Sequence, residues 1–293
     1  MKIYGISDLH LANRVNFDAL DALRPHPNDW LILAGDIGEL EDHLKVALYI
    51  LKRRFKRLVW VPGNHDLWSF PSHPFQLKGD ARYRRLVSIC HDFDVLTPED
   101  PYETVEIEGK KYLVVPLFLL YDYSFRPPEI KEEEAVEWAA ESGVVCTDEE
   151  LLSPAPFASL PAWCAERCRY SEERLKQQDG NLQMILINHF PLRREMANIR
   201  RFPRFSVWCG TQKTEDWHKR FPVSVVVYGH MHIRGTHYRD GVRFEEVSLG
   251  YPRDWTHKRG MEFYLREILP GPAEPENKDS HSQYHDIHEI EDE

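Results

Sequence analysis

Short apolar runs of strand length recur along this chain, and each of them ends abruptly in polar residues. The five runs cover residues 3–6, 31–34, 58–61, 184–187 and 223–229. An Asp, Asn or His follows each run within three residues. Open α/β sheets place their ligand sites at the C-terminal ends of their strands. We therefore predict five strands that deliver polar side chains to one shared site.

The segments between these runs show the spacing of amphipathic helices. Residues 41–55 carry leucines at helical intervals, and basic residues cluster near the end of the segment, where cations suit the helix dipole. Further helices are predicted over residues 17–23, 81–91, 129–141 and 163–178. The order strand, helix, strand in the first third of the chain indicates parallel strand pairing.

Two later segments have the pattern of β-hairpins. The first joins residues 102–107 to residues 111–117, and the second joins residues 235–238 to residues 242–248 through Asp240-Gly241, a strong two-residue turn signal. Parallel strands early in the chain and antiparallel strands later indicate two mixed sheets packed face to face. The predicted fold class is α/β, a four-layer α/β/β/α sandwich of two mixed β-sheets flanked by helices.

The polar strand ends run from residue 8 to residue 232 and must share one site, so we predict a single domain over residues 1–270. A helical insertion at residues 120–180 interrupts the strand pattern. It is either a lid or substrate-selecting cap, or a packing elaboration away from the site. Residues 271–293 carry eight acidic residues against one lysine, which predicts an acidic, disordered tail.

Composition narrows the class of protein. The net charge of −11 argues against a general basic surface that would hold nucleic acid. The five cysteines are odd in number and form no C-x-x-C pair, and the first strand begins too early for a signal peptide. No run of about 18 apolar residues is present to span a membrane. We therefore predict a reduced, cytoplasmic protein without membrane contact.

The polar residues at the strand ends have the chemistry of metal ligands. Asp8 and His10 are two residues apart, so in an extended segment their side chains point the same way. Seven candidates with oxygen or nitrogen donors and no sulfur emerge: Asp8, His10, Asp36, Asn64, His189, His230 and His232. One four-coordinate ion cannot use them all, whereas two ions sharing a carboxylate can. This mixed set favours Mn²⁺, with Fe or Zn²⁺ as alternatives, over Mg²⁺ or Ca²⁺.

Two neighbouring cations suit one reaction class above others. They polarise a phosphate group and lower the pKa of a bridging water, which gives a hydroxide for in-line attack. We therefore predict a dinuclear, metal-dependent phosphoester hydrolase.

Five motifs in the chain resemble those of the calcineurin-like metallophosphoesterase superfamily, which read D-x-H, G-D, G-N-H-D/E, H and G-H-x-H. Here they stand in order as Asp8-Leu9-His10, Gly35-Asp36, Gly63-Asn64-His65-Asp66, His189 and Gly229-His230-Met231-His232. The resemblance implies ligand roles residue by residue. The first metal would be held by Asp8, His10 and His232, and the second by Asn64, His189 and His230. Asp36 would bridge the two ions.

The resemblance also implies a catalytic pair in the third motif. His65 would bind no metal but would steady the phosphate and protonate the leaving oxygen, and Asp66 would fix its tautomer and orientation. The segment Ile37-Gly38-Glu39 departs from the pattern of protein serine/threonine phosphatases. The small bacterial phosphodiesterases are the closer branch.

The substrate is less constrained by the sequence. We predict a phosphodiester or phosphomonoester of a nucleotide-like or other small molecule. Arg193 and Arg194 follow His189 and are substrate-binding candidates, because guanidinium groups suit phosphate oxygens; the alternative is a solvated basic surface. Residues 208–211 and 251–255 supply either an aromatic wall beside the site or core and turn residues. A nuclease acting on short DNA or RNA ends and a non-catalytic scaffold of the same fold are the competing functions.

Overall fold

The computed structural model describes residues 1–72 and 76–271 of the chain. Ten β-strands lie in these residues. In chain order they are β1 (Ile3–Ile6), β2 (His26–Leu33), β3 (Phe55–Trp60), β4 (Glu103–Ile107), β5 (Lys110–Pro116), β6 (Gln183–Ile187), β7 (Val223–Tyr228), β8 (Gly235–Arg239), β9 (Val242–Glu246) and β10 (Arg266–Leu269). They form one sheet of four strands and one of six.

Eight α-helices connect these strands within the described residues. They are α1 (Arg14–Asp21), α2 (Glu41–Leu51), α3 (Asn64–Leu67), α4 (Gly79–Asp92), α5 (Ala135–Ala140), α6 (Asp148–Leu151), α7 (Leu160–Lys176) and α8 (Trp217–Arg220). Short 3₁₀ helices lie at Glu132–Glu134, Arg194–Met196, Pro203–Trp208, Gln212–Thr214, His257–Arg259 and Met261–Tyr264. None of the helices described here is both long and apolar enough to cross a bilayer.

The four-stranded sheet has the order β10-β1-β2-β3. Strands β1, β2 and β3 pair in parallel, as the strand, helix, strand order predicts, and β10 adds to β1 in the antiparallel sense. The C-terminal ends of β1, β2 and β3 therefore lie along one edge of this sheet. Asp8 and Asp36 lie in the loops that follow β1 and β2, and Asn64 begins α3, which follows β3.

The six-stranded sheet has the order β4-β5-β6-β7-β9-β8. Its central strands β5, β6, β7 and β9 are parallel, and both predicted hairpins lie at its edges. The β8–β9 turn uses Asp240 at φ 53° and Gly241 at φ 79°. Two positive φ angles in a two-residue loop match the right-handed twist of the strands. The ends of β6 and β7 deliver His189 and His230.

The two sheets pack face to face through small branched side chains. Ile32 and Val59 of one sheet share a buried cluster with Val114, Ile185 and Val225 of the other. Neighbouring strand residues point the opposite way and pack against the helices, as Leu31 and Trp60 do. The predicted four-layer α/β/β/α sandwich is confirmed.

Two helix predictions differ from the structure by more than three residues at one end. Residues 41–55 were predicted as one helix, but α2 ends at Leu51, and Phe55 begins β3, where it pairs with His26. The predicted helix 129–141 is a 3₁₀ turn followed by the short α5, and the chain turns at Gly143 with φ 75°. Residues 272–293 of the predicted acidic tail lie outside the described residues.

Candidate metal centre

The seven predicted ligands converge at the carboxyl ends of five strands, where the two sheets meet. A short parallel bridge between Ser7 and Ser248 joins the sheets beside the site. The side chains come from segments far apart in the sequence, and Asp8, His10 and His189 are fully shielded from solvent. The convergence that the sequence predicts is therefore present in the fold.

The backbone of the ligand residues is unusual, because most of them lie in the left-handed region. The φ angles are 54° at Asp8, 42° at His10, 53° at Asp36, 69° at His230 and 53° at His232. Non-glycine residues rarely adopt such angles, and each costs about 1–3 kcal/mol. Asp8 and His10 were expected to converge as neighbours on an extended strand. That reason is wrong: β1 ends at Ile6, and two left-handed residues turn both side chains inward.

Glycines bring the ligand loops into contact. A Cβ atom at Gly63 would collide with the Asp36 carboxylate, and one at Gly229 would collide with the Ser7 hydroxyl and the Asp8 carboxylate. The glycines of the G-N-H and G-H-x-H motifs are therefore required by close packing of backbone against ligand side chains.

The first cluster of ligands consists of Asp8, His10 and His232. His232 Nε2 lies 3.1 Å from Asp8 Oδ1 and 3.3 Å from His10 Nε2. The other ring nitrogen, His232 Nδ1, lies 3.1 Å from the carboxylate of Asp254. A neutral His232 that donates to Asp254 presents the Nε2 lone pair to its two neighbours, which is the tautomer that a metal ligand needs.

The second cluster consists of Asn64, His189 and Asp36, and its histidine is also held through Nδ1. His189 Nδ1 donates to the Ala34 carbonyl oxygen at 2.8 Å, so the Nε2 lone pair of the neutral ring faces inward. That atom lies 3.1 Å from Asn64 Oδ1 and 3.4 Å from Asp36 Oδ2. A cation bound here would replace the proton that His189 otherwise shares with Asp36, so that all three atoms could coordinate it.

His230 gives the clearest sign that the site fits a cation. Its ring packs against Phe190 and His189, with centroids 4.6 and 5.2 Å away. Its Nε2 atom has no hydrogen-bond partner among the described residues. A buried polar atom without a partner costs about 1–3 kcal/mol, which coordination would recover.

Burial and the nearby carboxylates divide the four histidines of the candidate ligand set into a pair with lowered pKa values and a pair with raised pKa values. Burial lowers the pKa of His10 to about 4 and that of His230 to about 3, which keeps both rings neutral and able to coordinate. Burial opposes protonation of His189 and His232 too, but Asp36 and Asp8 outweigh it and raise these pKa values to about 9 and about 10. These two rings carry positive charge beside the acids unless a cation replaces their protons.

His65 lies at the mouth of the site, with its side chain 12% exposed. Its ring packs edge-on to His10 at 4.7 Å and against Trp68 at 3.6 Å, and its Nε2 is 3.9 Å from Asp36 Oδ2. Its Nδ1 lies 3.3 Å from Glu39 Oε1. Burial opposes its protonation, but the carboxylates of Asp36 and Glu39 raise the pKa overall. This geometry is suited to delivering a proton beside the ligand cluster.

Comparison with known proteins identifies the family. The sequence profile of the calcineurin-like phosphoesterase family matches residues 1–234. The chain belongs to the calcineurin-like phosphoesterase family. The acyl-carrier-protein phosphodiesterase PptH of Mycobacterium tuberculosis is 46% identical over 272 residues, which cover 92% of this chain and 84% of PptH.

The solved structure of PptH agrees with this assignment. The crystal structure of phosphopantetheinyl hydrolase (PptH) from Mycobacterium tuberculosis superposes with a TM-score of 0.88 and covers 94% of this chain and 98% of its own. A dimetal phosphatase from Danio rerio is 14% identical with a TM-score of 0.42, covering 85% and 87% of the two chains. The family match and the 46% identity to PptH show that this phosphoesterase is a hydrolase, as the sequence predicts.

One predicted role in the phosphoesterase is wrong. Asp66 does not contact the His65 ring. Its carboxylate accepts the backbone N–H groups of Gly63, Asp36 and Ile37 at 2.9–3.0 Å and so ties the loops after β2 and β3 together. The Asp66 side chain turns back to the backbone of Gly63, the residue before α3, and away from the ring of His65. The carboxylate beside the ring is Glu39. In the sequence, its segment is notable only as a departure from the pattern of protein serine/threonine phosphatases.

The two arginines predicted to bind substrate both lie beside Glu215. The Arg193 guanidinium donates to Glu195 Oε1 at 2.8 Å and to the Glu215 carbonyl oxygen at 2.7 Å, so its charge is compensated within the protein. It has no contact with the ligand cluster among the described residues, and its predicted role in substrate binding stays a prediction. Arg194 is exposed, and its backbone N–H donates to the Glu215 carboxylate. Its predicted role in substrate binding also remains a prediction.

The aromatic segments divide between site and core. Tyr251 stacks on His10 with ring centroids 4.3 Å apart and an interplanar angle of 16°, and thus lines the site. Trp255 donates to Asn16, and Trp208 donates to Glu149, so both are core residues. Asp254, which holds His232, was missed because a lone aspartate in a turn gives no sequence signal.

Proposed function

We propose that this phosphoesterase hydrolyses the phosphodiester that links phosphopantetheine to a serine of an acyl carrier protein. The observation that carries the proposal is the meeting of two clusters of carboxylate, amide and imidazole side chains around Asp36, next to a protonatable His65. The substrate is taken from PptH, whose printed names specify an acyl-carrier-protein phosphodiesterase and a phosphopantetheinyl hydrolase. Identity of 46% across nearly the whole chain supports that transfer.

The ligand assignment is part of the proposal. Asp8, His10 and His232 would hold one divalent cation, Asn64, His189 and His230 a second, and Asp36 would bridge them. Mn²⁺ is the preferred ion, with Fe or Zn²⁺ as alternatives, since the donors are a mixture of imidazole, amide and carboxylate. When bound, two such ions neutralise the phosphate charge and make hydroxide available from water near neutral pH.

The side chains of this protein would supply the proton that the leaving group requires. Attack by water breaks the bond between phosphorus and the serine oxygen and leaves phosphopantetheine as a phosphomonoester. The serine alkoxide is a poor leaving group and must take up a proton. His65 would donate it from Nε2, and Glu39 would hold the opposite nitrogen and favour the protonated ring.

Glu39→Gln tests this pairing through the pH profile. Removing the carboxylate should lower the pKa of His65, and kcat for an alkyl phosphodiester should fall about tenfold at neutral pH. Because the acid must be protonated to donate, the alkaline limb of the kcat profile should move to lower pH. Glu41→Gln, which removes a partly buried carboxylate on α2 paired with Arg85, is the control. An unchanged alkaline limb in Glu39→Gln would contradict the role of Glu39.

The proposed substrate is tested by mass spectrometry of a holo acyl carrier protein incubated with the phosphoesterase and Mn²⁺. We expect the carrier to lose the mass of one phosphopantetheine group, and we expect no loss after chelation or with the Asp36→Asn variant. Cyclic nucleotides, dinucleotides, short oligonucleotides and bis-p-nitrophenyl phosphate are assayed beside it. A higher kcat/KM for a nucleotide diester, with no release from the carrier, would support instead the nucleotide-like substrate predicted from the sequence.

A further inference from the structure

A buried carboxylate from the insertion at residues 120–180 reaches the metal centre. Asp148, the first residue of α6, is fully shielded from solvent. Its Oδ1 accepts the Asn64 side-chain amide at 3.0 Å and the Trp68 indole N–H at 2.6 Å, and its Oδ2 accepts the Tyr121 hydroxyl at 3.1 Å. Two of these three donors belong to the loop that carries the G-N-H-D motif.

The bond to Asn64 determines which end of its amide faces the ligand cluster. An asparagine side chain has one oxygen and one NH₂ group, and only the oxygen can coordinate a cation. Since Asp148 binds the NH₂ group, the oxygen is directed to the other side, where it lies 3.1 Å from His189 Nε2. Without an acceptor at position 148 the amide could rotate and present a donor to the site.

The bond to Trp68 acts on the other functional side chain of this loop. The Trp68 ring packs against His65 with centroids 3.6 Å apart, so the indole forms one wall of the imidazole site. The same Asp148 oxygen fixes the indole nitrogen. The loop is also held by the backbone, because the Ser69 N–H donates to the Leu151 carbonyl oxygen of α6 at 2.9 Å.

We propose that Asp148 is a positioning residue of the metal centre, which directs the Asn64 oxygen to the second cation and holds Trp68 against His65. The insertion is then a structural part of the site and not a remote packing elaboration. This inference rests on the proposed role of Asn64 as a metal ligand.

The neighbouring residue provides a matched control. Glu149 also accepts an indole N–H, from Trp208 at 2.6 Å, and a phenol, from Tyr123 at 2.9 Å, but it touches no ligand residue. Asp148→Ala and Glu149→Ala therefore remove the same kinds of hydrogen bond from the same short helix. Only the first change releases a residue of the metal centre.

The experiment is calorimetric titration of Mn²⁺ into chelator-treated, folded protein. We expect two sites in the wild type and in Glu149→Ala, and a second site about 10–100-fold weaker in Asp148→Ala. Asp148→Asn retains an acceptor oxygen and should bind as the wild type does. Two unchanged sites in Asp148→Ala would overturn the inference and leave the proposed function standing. A wild type that binds no Mn²⁺ would instead overturn the proposed function.

A second variant covers the case in which Asp148→Ala does not fold. Trp68→Phe keeps a ring beside His65 but removes the N–H that Asp148 accepts. We expect two Mn²⁺ sites and a lower kcat for alkyl phosphodiesters, with little change for p-nitrophenyl esters, whose leaving group needs no acid. Equal rates for wild type and Trp68→Phe on alkyl phosphodiesters would overturn the inference for this contact.

Discussion

Asp36→Asn should abolish phosphoester hydrolysis, with a fall in kcat of roughly a thousandfold or more. Asp36 belongs to two candidate ligand groups. One group also contains His10 and His65, and the other also contains Asp8 and His189. Its Oδ1 also accepts the backbone N–H of His65 at 2.9 Å, a bond that an asparagine oxygen can keep. The variant therefore loses the bridging charge but retains the loop geometry, and both cations should bind more weakly.

Metal content by mass spectrometry after equilibrium dialysis, together with turnover of bis-p-nitrophenyl phosphate, measures both effects. Asp122→Asn is the matched control, since Asp122 is a buried aspartate whose partners are Thr211 and Lys213, away from the ligands. It should keep both metals and most of the activity. Retention of two metals and of wild-type turnover in Asp36→Asn would exclude the bridging role.

His65→Ala should slow hydrolysis of alkyl phosphodiesters by about 10²–10⁴-fold, the range expected for loss of a general acid. The loss should be much smaller for p-nitrophenyl esters, because p-nitrophenolate leaves without a proton. Metal content should not change if His65 acts on the substrate. The structure poses a sharp alternative, since His65 also forms a possible ligand group with His10 and Asp36.

Metal analysis of His65→Ala therefore decides between an acid and a ligand. Loss of a metal, accompanied by equal slowing of alkyl and p-nitrophenyl esters, would assign His65 to coordination. His91→Ala is the control, because His91 is half-exposed and pairs with Asp100 outside the site. It should match the wild type for both esters and for metal content.

The sequence by itself determined the strands and the set of candidate ligand residues. Each strand is an apolar run whose length and end are visible locally, and parallel pairing places those ends along one edge of a sheet. The residues at these ends, from Asp8 to His232, could then be predicted to meet. Their chemistry also set the reaction class, because oxygen and nitrogen donors in this number suit two cations and a phosphate.

Only the tertiary structure decided how these residues are oriented and which groups hold them. The direction of a side chain depends on backbone angles and distant contacts, which residue spacing does not contain. Left-handed φ angles therefore turn Asp8 and His10 inward, and Glu39, not Asp66, lies against His65. Asp148 approaches Asn64 across 84 residues of sequence, a contact that exists only because the insertion folds back onto the loop after β3.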